Sequence, residues 1–139
     1  MEHLIVVRPY YHYRQAEVLP LYRSVGWSAY YDRPAVLEQA FANSLCCFAA
    51  WDGELLVGLI RTVGDGTSVV FVQDILVRPE YQRRGIGTRL IARVLECYEH
   101  VRQLHLLTDD QPSTVGFYKA VGFTPVENLH CRAFTRVKY

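Results

Sequence analysis

The 139-residue chain reads as an α/β (α+β) fold, a mixed and mostly antiparallel central sheet with helices on both faces. Three observations predict it. Apolar runs of strand length and segments of helical periodicity follow one another in the order β-α-α-β-β-β-α-β-α-β-β. Asp52-Gly53 separates two apolar runs and is a hairpin signal, which makes those runs antiparallel neighbours. A third strand-like run passes through a basic, glycine-containing turn straight into an amphipathic helix, and that helix must bury its apolar stripe on the sheet.

Residues 4–7 predict the first strand, after which Arg8-Pro9 and the tyrosines Tyr10, Tyr11 and Tyr13 lead into a helix over residues 15–25 that Gly26 ends. Asp32 can cap a second helix with Pro34 in its first turn, over residues 34–42, burying Val36, Leu37, Ala40 and Phe41. Residues 46–51 and 55–63 form the hairpin around Asp52-Gly53, and Gly64-Asp65-Gly66-Thr67 turns the chain into a strand over 69–77. Ile86, Leu90, Ile91, Val94, Leu95 and Tyr98 recur at helical spacing, so the next helix ends near His100. Residues 104–108 predict a fifth strand. A short helix from Ser113 or Thr114 to Val121, closed by Gly122, precedes two last strands over 123–127 and 133–139.

Length and a half-apolar composition suit one domain spanning residues 1–139, with no room for a second. A net charge of +1 lacks the footprint of a dedicated nucleic-acid binder. Thirteen of the fifteen basic residues are Arg, which suits local paired contacts to phosphate or carboxylate. No apolar run approaches the roughly 18 residues of a membrane-spanning helix, and Met1-Glu2-His3 with four apolar residues is too short for a signal peptide. Cys46, Cys47, Cys97 and Cys131 lack Cys-x-x-Cys spacing and read as small core residues in a reducing compartment. The expectation is a soluble cytoplasmic protein without a membrane partner.

The turn Gln82-Arg83-Arg84-Gly85-Ile86-Gly87-Thr88 carries the chemistry. Its glycines let the backbone approach an anion, the first N–H groups of the following helix have no internal partners, and the helix dipole puts positive potential there. A Walker loop would need Lys-Ser/Thr after its second glycine, and a dinucleotide fingerprint would need three glycines; neither is present. Gln-x-x-Gly-x-Gly instead resembles the pyrophosphate loop of the GNAT superfamily, the acetyl-CoA-dependent N-acyltransferases. A second stretch, Gly116-Phe117-Tyr118-Lys119-Ala120-Val121-Gly122-Phe123, matches that family's Phe-Tyr-x-x-x-Gly-Phe. With Val77, Pro79, Tyr81 and Gln82 on the approach to the loop, the resemblance covers about residues 46–123, and its finer likeness is to small-amine acetyltransferases.

The resemblance implies a sheet splayed between its fourth and fifth strands, with main-chain groups of Ile75, Leu76 and Val77 free for the cofactor. It places acetyl-CoA on Gln82, Arg83, Arg84, Gly85, Ile86, Gly87 and Thr88, and on Ser113, Phe117, Tyr118 and Lys119. Tyr118 matches the tyrosine beside the thioester sulfur and would protonate the leaving thiolate, its phenol being neutral at pH 7; a solvated helix tyrosine is the plain alternative. Lys119 would meet a cofactor phosphate or simply face water. Many relatives carry Asn before the Phe-Tyr pair, whereas here the stretch is Asp109-Asp110-Gln111-Pro112-Ser113.

Asp74 sits among apolar residues, where an unpartnered carboxylate is costly. It either holds the acceptor's ammonium or acts as its general base, directly or through water, or it pairs with a cation such as Arg61. His105, near the expected cleft, could deprotonate an amine or be a hydrogen-bonded core residue. Trp27, Tyr30 and Tyr31 fall where the family borders its acceptor, and suit an aromatic wall, core packing or a homodimer interface. No His spacing suggests a metal. The function that follows is transfer of acetyl from acetyl-CoA to a small-molecule primary amine in a ternary complex; a non-turnover acyl-CoA sensor and a protein acetyltransferase are the competing readings.

Overall fold

In the computed structural model, which describes residues 4–138, the chain divides into a unit ending at Leu106 and another beginning at Leu107. The first holds the sheet. Strands β1 (Ile5–Pro9), β2 (Cys46–Asp52), β3 (Leu55–Gly64), β4 (Val69–Val77) and β5 (Gln103–Leu106) are hydrogen-bonded in that order. The β1–β2, β2–β3 and β3–β4 pairs are antiparallel and β4–β5 is parallel, so the mixed, mostly antiparallel sheet is present.

Side-chain alternation sends neighbouring residues of each strand to opposite faces. On one face Ala49, Trp51, Leu56, Leu59 and Leu76 pack against Val18, Leu21 and Tyr22 of helix α1 (Gln15–Ser24) and Leu37 of helix α3 (Pro34–Ala42). On the other, Gly58 lies under Ile86 and Leu90 of helix α4 (Ile86–Cys97), whose buried stripe of Ile86, Leu90, Ile91 and Val94 is the one its spacing announces. Helices therefore cover both faces. Pro34 opens α3 as expected, whereas Pro20 lies inside α1, where a missing N–H interrupts the ladder without ending the helix.

Several expectations need correction. A four-residue helix, α2 (Ser28–Tyr31), occupies the connection between the first two predicted helices and is too short to show a period. Val36 is exposed, because the buried side of α3 is carried by Leu37. Cys46 is half-buried and Cys47 buried, but Cys97 at the end of α4 and Cys131 are exposed, so only two cysteines serve the interior; all four are free. The first and fifth strands are offset by a residue or more from their predicted ranges. Met1, Glu2, His3 and Tyr139 lie outside the described residues.

The second unit contains helix α5 (Pro112–Ala120) and a 3-10 turn, Val126–Leu129, closed by His130 at φ 59. Among the described residues, neither of the two strands expected over 123–127 and 133–139 is formed. Pro125 has no N–H to give a ladder, and Val126 begins the tight turn instead. Residues 132–138 are exposed and irregular, with Phe134 90% exposed, since a short apolar segment forms no strand without a partner edge.

Candidate active site

The pairing of β4 with β5 stops early. Val69 to Val72 face Gln103 to Leu106, but β4 continues to Val77, leaving residues 73–77 unpaired on that edge by β5. Arg78 N–H donates to Val57 O at 2.8 Å, which makes residues 57 and 78 a hydrogen-bonded pair. Antiparallel pairs alternate, so Leu76 and Asp74 also turn their main-chain groups toward β3, while Ile75 and Val77 turn theirs to the open edge. Of the three residues expected to offer free main-chain groups, Ile75 and Val77 are so placed and Leu76 spends its groups on the ladder. The side chain of Gln82 reaches back to this edge, Nε2 donating to Val77 O at 3.0 Å.

From the end of that edge the chain makes a 3-10 turn, Pro79–Tyr81, and enters the basic loop. The Tyr81 hydroxyl donates to the Asp52 carboxylate, and the Arg84 guanidinium stacks 5.0 Å from the Tyr81 ring, so the loop is tied to the β2–β3 hairpin. Arg83 has φ 64 and Gly85 has φ 78, two left-handed residues that curl the backbone around the start of α4. The first bond of α4 runs from Arg89 N–H to Gly85 O at 3.1 Å, and no side chain caps the helix. The N–H groups of Ile86, Gly87 and Thr88 therefore have no helical partner, and the exposed side chains of Gln82, Arg83, Arg84 and Thr88 surround them. Three aligned donors, a helix dipole and two guanidinium groups form a cradle that fits a diphosphate.

Gly58 sets how closely this cradle sits on the sheet. A Cβ there would come within 3.3 Å of Ile86 Cγ2, Leu90 Cδ1 and Leu76 O, so the first turn of α4 rests directly on a glycine. This contribution was not anticipated. Its signal is a glycine inside an otherwise apolar strand, which marks close approach of another element.

On the opposite face the sequence-predicted Asp74 is buried, 2% exposed, and its Oδ2 accepts from Arg61 Nε at 2.8 Å and from the Tyr22 hydroxyl at 2.9 Å. The ion-pair alternative is thus what the structure contains. Arg61 is also engaged, Nη1 donating to Ser44 Oγ at 3.2 Å and to Ala40 O in the last turn of α3 at 3.5 Å. Burial and the neighbouring carboxylate push the Tyr22 phenol far above its ordinary value, so it stays a donor. The sequence names Arg61 as a candidate partner but not Tyr22, Ser44 or Ala40, which reach the pair from elsewhere in the chain; beside it β4 bulges, Arg61 facing Asp74 and Thr62 facing Val72, which leaves Gln73 as an extra, exposed residue.

Tyr30 of α2 joins this group. Its ring lies 5.2 Å edge-on to Tyr22 and 6.3 Å from Trp27, its hydroxyl accepts from Gln73 Nε2 at 3.3 Å, and burial together with the Asp74 charge raises its phenol above the ordinary value. Tyr31 instead lies under Arg23, 5.4 Å from its guanidinium carbon. His105 stands exposed on β5 opposite Phe71.

In the second unit Tyr118 packs edge-on against Phe117 at 5.0 Å and Phe123 at 5.9 Å. Burial raises its phenol above the usual value and Asp109 adds to the effect, while a hydrogen bond with Thr108 opposes it. Ser113 and Lys119 are exposed at the two ends of α5. In the stretch that replaces the expected Asn, the Asp109 carboxylate accepts from the Gln111 N–H at 3.0 Å.

Among the described residues no cluster of three His, Cys, Asp or Glu could hold a metal, and no helix is long and apolar enough to cross a membrane. A family model described as Acetyltransferase (GNAT) domain matches residues 12–137. The ycf52-like N-acetyltransferase of Prochlorococcus marinus is 30% identical over 115 residues, 78% of this chain and 61% of its own. The thialysine N-epsilon-acetyltransferase of Bos taurus is 35% identical over 71 residues, 47% of this chain and 42% of its own. A GNAT-family acetyltransferase from Streptococcus pneumoniae TIGR4 superposes with a TM-score of 0.89 at 38% identity, covering 97% of this chain and 98% of that one. The chain thus spans less than two thirds of the length of these curated relatives, and nearly all of the solved one.

Proposed function

Because the chain belongs to the GNAT acetyltransferase family, we propose that it carries the acetyl group of acetyl-CoA to the primary amine of a small molecule, by direct attack within a ternary complex and within a single domain. One observation carries this reading: the open edge of β4 at Ile75 and Val77 is followed, after one 3-10 turn and the basic loop, by the uncapped start of α4. An extended amide-bearing thioester with a diphosphate at its far end fits that pairing of features. The β4 edge supplies hydrogen bonds to pantetheine amides and to the thioester oxygen, and residues 82–88 supply them to the diphosphate.

Attack by the amine transfers the acyl group from sulfur to nitrogen, and the departing thiolate takes a proton. Tyr118 is the donor in this reading, since its raised pKa keeps it protonated at neutral pH. Lys119 and Ser113 supply polar contacts to the cofactor, Phe117 apolar packing, and Trp27, Tyr30, Tyr31 and His105 the borders of the acceptor site, with Asp74 behind them. The small-molecule choice is supported by the thialysine-acting relative. Four free cysteines suit a reducing, cytoplasmic setting.

The test is thiol release from acetyl-CoA against a panel of polyamines, amino sugars, arylalkylamines and amino acids. Turnover with at least one small amine, lost together with coenzyme A binding in Gly87→Trp, is the expected result. Binding of coenzyme A without release across the panel would assign a sensor instead, and release only with peptides a protein acetyltransferase.

A further inference from the structure

We propose that a cleft at the far corner of the sheet is a second ligand site, which takes a small zwitterion of the free α-amino-acid kind and whose occupancy strengthens the grip of the basic loop on coenzyme A. Only the link to coenzyme A rests on the acetyl-transfer reading.

The cleft has a volume of about 450 Å³ and lies between the first turn of α1, strand β1 and the β2–β3 hairpin, lined by Arg8, Arg14, Glu17, Trp51, Gly53 and Glu54. Strands β2 and β3 separate β1 from β4, and neighbouring strands are about 4.8 Å apart, so β4 with its open edge lies roughly 14 Å from β1 across the sheet. The cleft is therefore separate from the edge at Ile75 and Val77.

Its charges are free for a ligand. The Arg8 guanidinium lies over the Trp51 ring, 4.8 Å from its centre, which fixes the plane of the group and leaves its N–H edge for an anion. Among the described residues neither the Arg14 guanidinium nor the Glu54 carboxylate forms an ion pair or a side-chain hydrogen bond. The Tyr10 hydroxyl donates to Glu17 Oε2 at 2.8 Å, which orients this carboxylate and leaves its other oxygen. Two guanidiniums and two carboxylates thus share one cleft with the buried Trp51. A purely anionic ligand would be opposed by Glu17 and Glu54, and a purely cationic one by Arg8 and Arg14. A zwitterion satisfies both signs, its carboxylate on the arginines and its ammonium on the glutamates, with Trp51 as an apolar wall for the side chain.

The hairpin joins this cleft to the cradle. Asp52 lies between Trp51 and Gly53, and its carboxylate accepts from the Tyr81 hydroxyl, on whose ring Arg84 stacks at 5.0 Å. A ligand that bridges Glu54 on the hairpin to Arg14 at the start of α1 restrains the hairpin, and through it Tyr81 and Arg84. Less freedom is then lost when coenzyme A orders the loop, so its affinity rises, and coenzyme A tightens the zwitterion by the same factor.

The full chain is titrated calorimetrically with L-leucine, with L-leucinamide, which keeps only the ammonium, and with N-acetyl-L-leucine, which keeps only the carboxylate. Saturable binding of leucine is the expected result, weakened at least about fivefold in either single-charge analogue and in Arg14→Ala and Glu54→Ala. Without leucine, both variants should bind coenzyme A as the unmodified chain does. Saturating leucine should tighten coenzyme A about fivefold in the unmodified chain. Tyr81→Phe should keep the leucine affinity and lose this tightening. No saturable leucine binding, equal binding of the analogues, undiminished binding in both Arg14→Ala and Glu54→Ala, or a coenzyme A affinity indifferent to leucine would each overturn the proposal. Failure of coenzyme A to bind at all would sink the acetyl-transfer reading and the link with it, while leucine binding, read without coenzyme A, still decides the site.

Discussion

Arg61 on β3 and Asp74 on β4 stand directly opposite each other and close a buried ion pair, Nε to Oδ2 at 2.8 Å. Both ions have left water, so neither can be deleted alone at low cost. Arg61→Ala or Asp74→Ala should destabilise the fold by about 3–5 kcal/mol, because each leaves an unmatched buried charge. Joint replacement by Arg61→Met and Asp74→Leu should cost far less than the sum of the two single changes. Urea denaturation of all four forms closes the cycle; simple additivity would show that the pair is not coupled.

Gly58 makes a different prediction, about ligand rather than fold. Gly58→Ala puts a methyl group 3.3 Å from two side-chain ends and one backbone oxygen, which local adjustment can accommodate. Gly58→Val adds two further carbons, and α4 must lift from the sheet at its first turn. The donors of Ile86, Gly87 and Thr88 then move with it, so coenzyme A affinity should fall at least tenfold in Gly58→Val and much less in Gly58→Ala. Calorimetry with coenzyme A reads this directly, and equal affinity in the two variants would mean that the cradle does not depend on this contact.

Arg83 combines a charge with a left-handed backbone at φ 64. The two can be separated, because glycine keeps the conformation and loses the guanidinium, whereas a β-branched residue opposes both. Arg83→Gly should weaken coenzyme A binding a few-fold and flatten its dependence on salt, with little change in melting temperature. Arg83→Val should weaken binding more and also lower the melting temperature. If Arg83→Gly leaves both the affinity and its salt dependence unaltered, Arg83 does not meet the diphosphate.

Much of this is legible in the sequence alone. The stripe of Ile86, Leu90, Ile91 and Val94 has a period long enough to identify α4, Asp52-Gly53 identifies a hairpin, and the two together order the middle of the sheet. What could not be read depends on partners rather than on local pattern. Which of residues 75–77 face the open edge is set by register with β3, and whether Asp74 meets Arg61 or a substrate is decided by its burial and by the Tyr22 hydroxyl. Tyr22, Gly58 and Gln73 gain their roles in the same way, from register. Residues 132–138 show the converse: a strand candidate that is exposed and irregular in the folded chain.

Tyr118 supplies the pH prediction. Burial is the largest cause of its raised pKa, with the like charge of Asp109 acting in the same direction, so the folded chain holds the phenolic proton more tightly than the unfolded chain, whose tyrosine titrates near 10. Below pH 10 both states are protonated and the difference is silent. As pH rises past 10 the unfolded chain loses its proton first, and the stability present below that value declines until the folded chain titrates as well. Tyr118→Phe should make this alkaline decline shallower in urea melts between pH 9 and 11.5. The same substitution should lower kcat by about 10²–10⁴-fold, the usual scale for losing a general acid, and should remove the basic limb that the intact enzyme shows only above pH 10. A basic limb that persists in Tyr118→Phe belongs to another group, and Tyr118 is then not the donor to the thiolate.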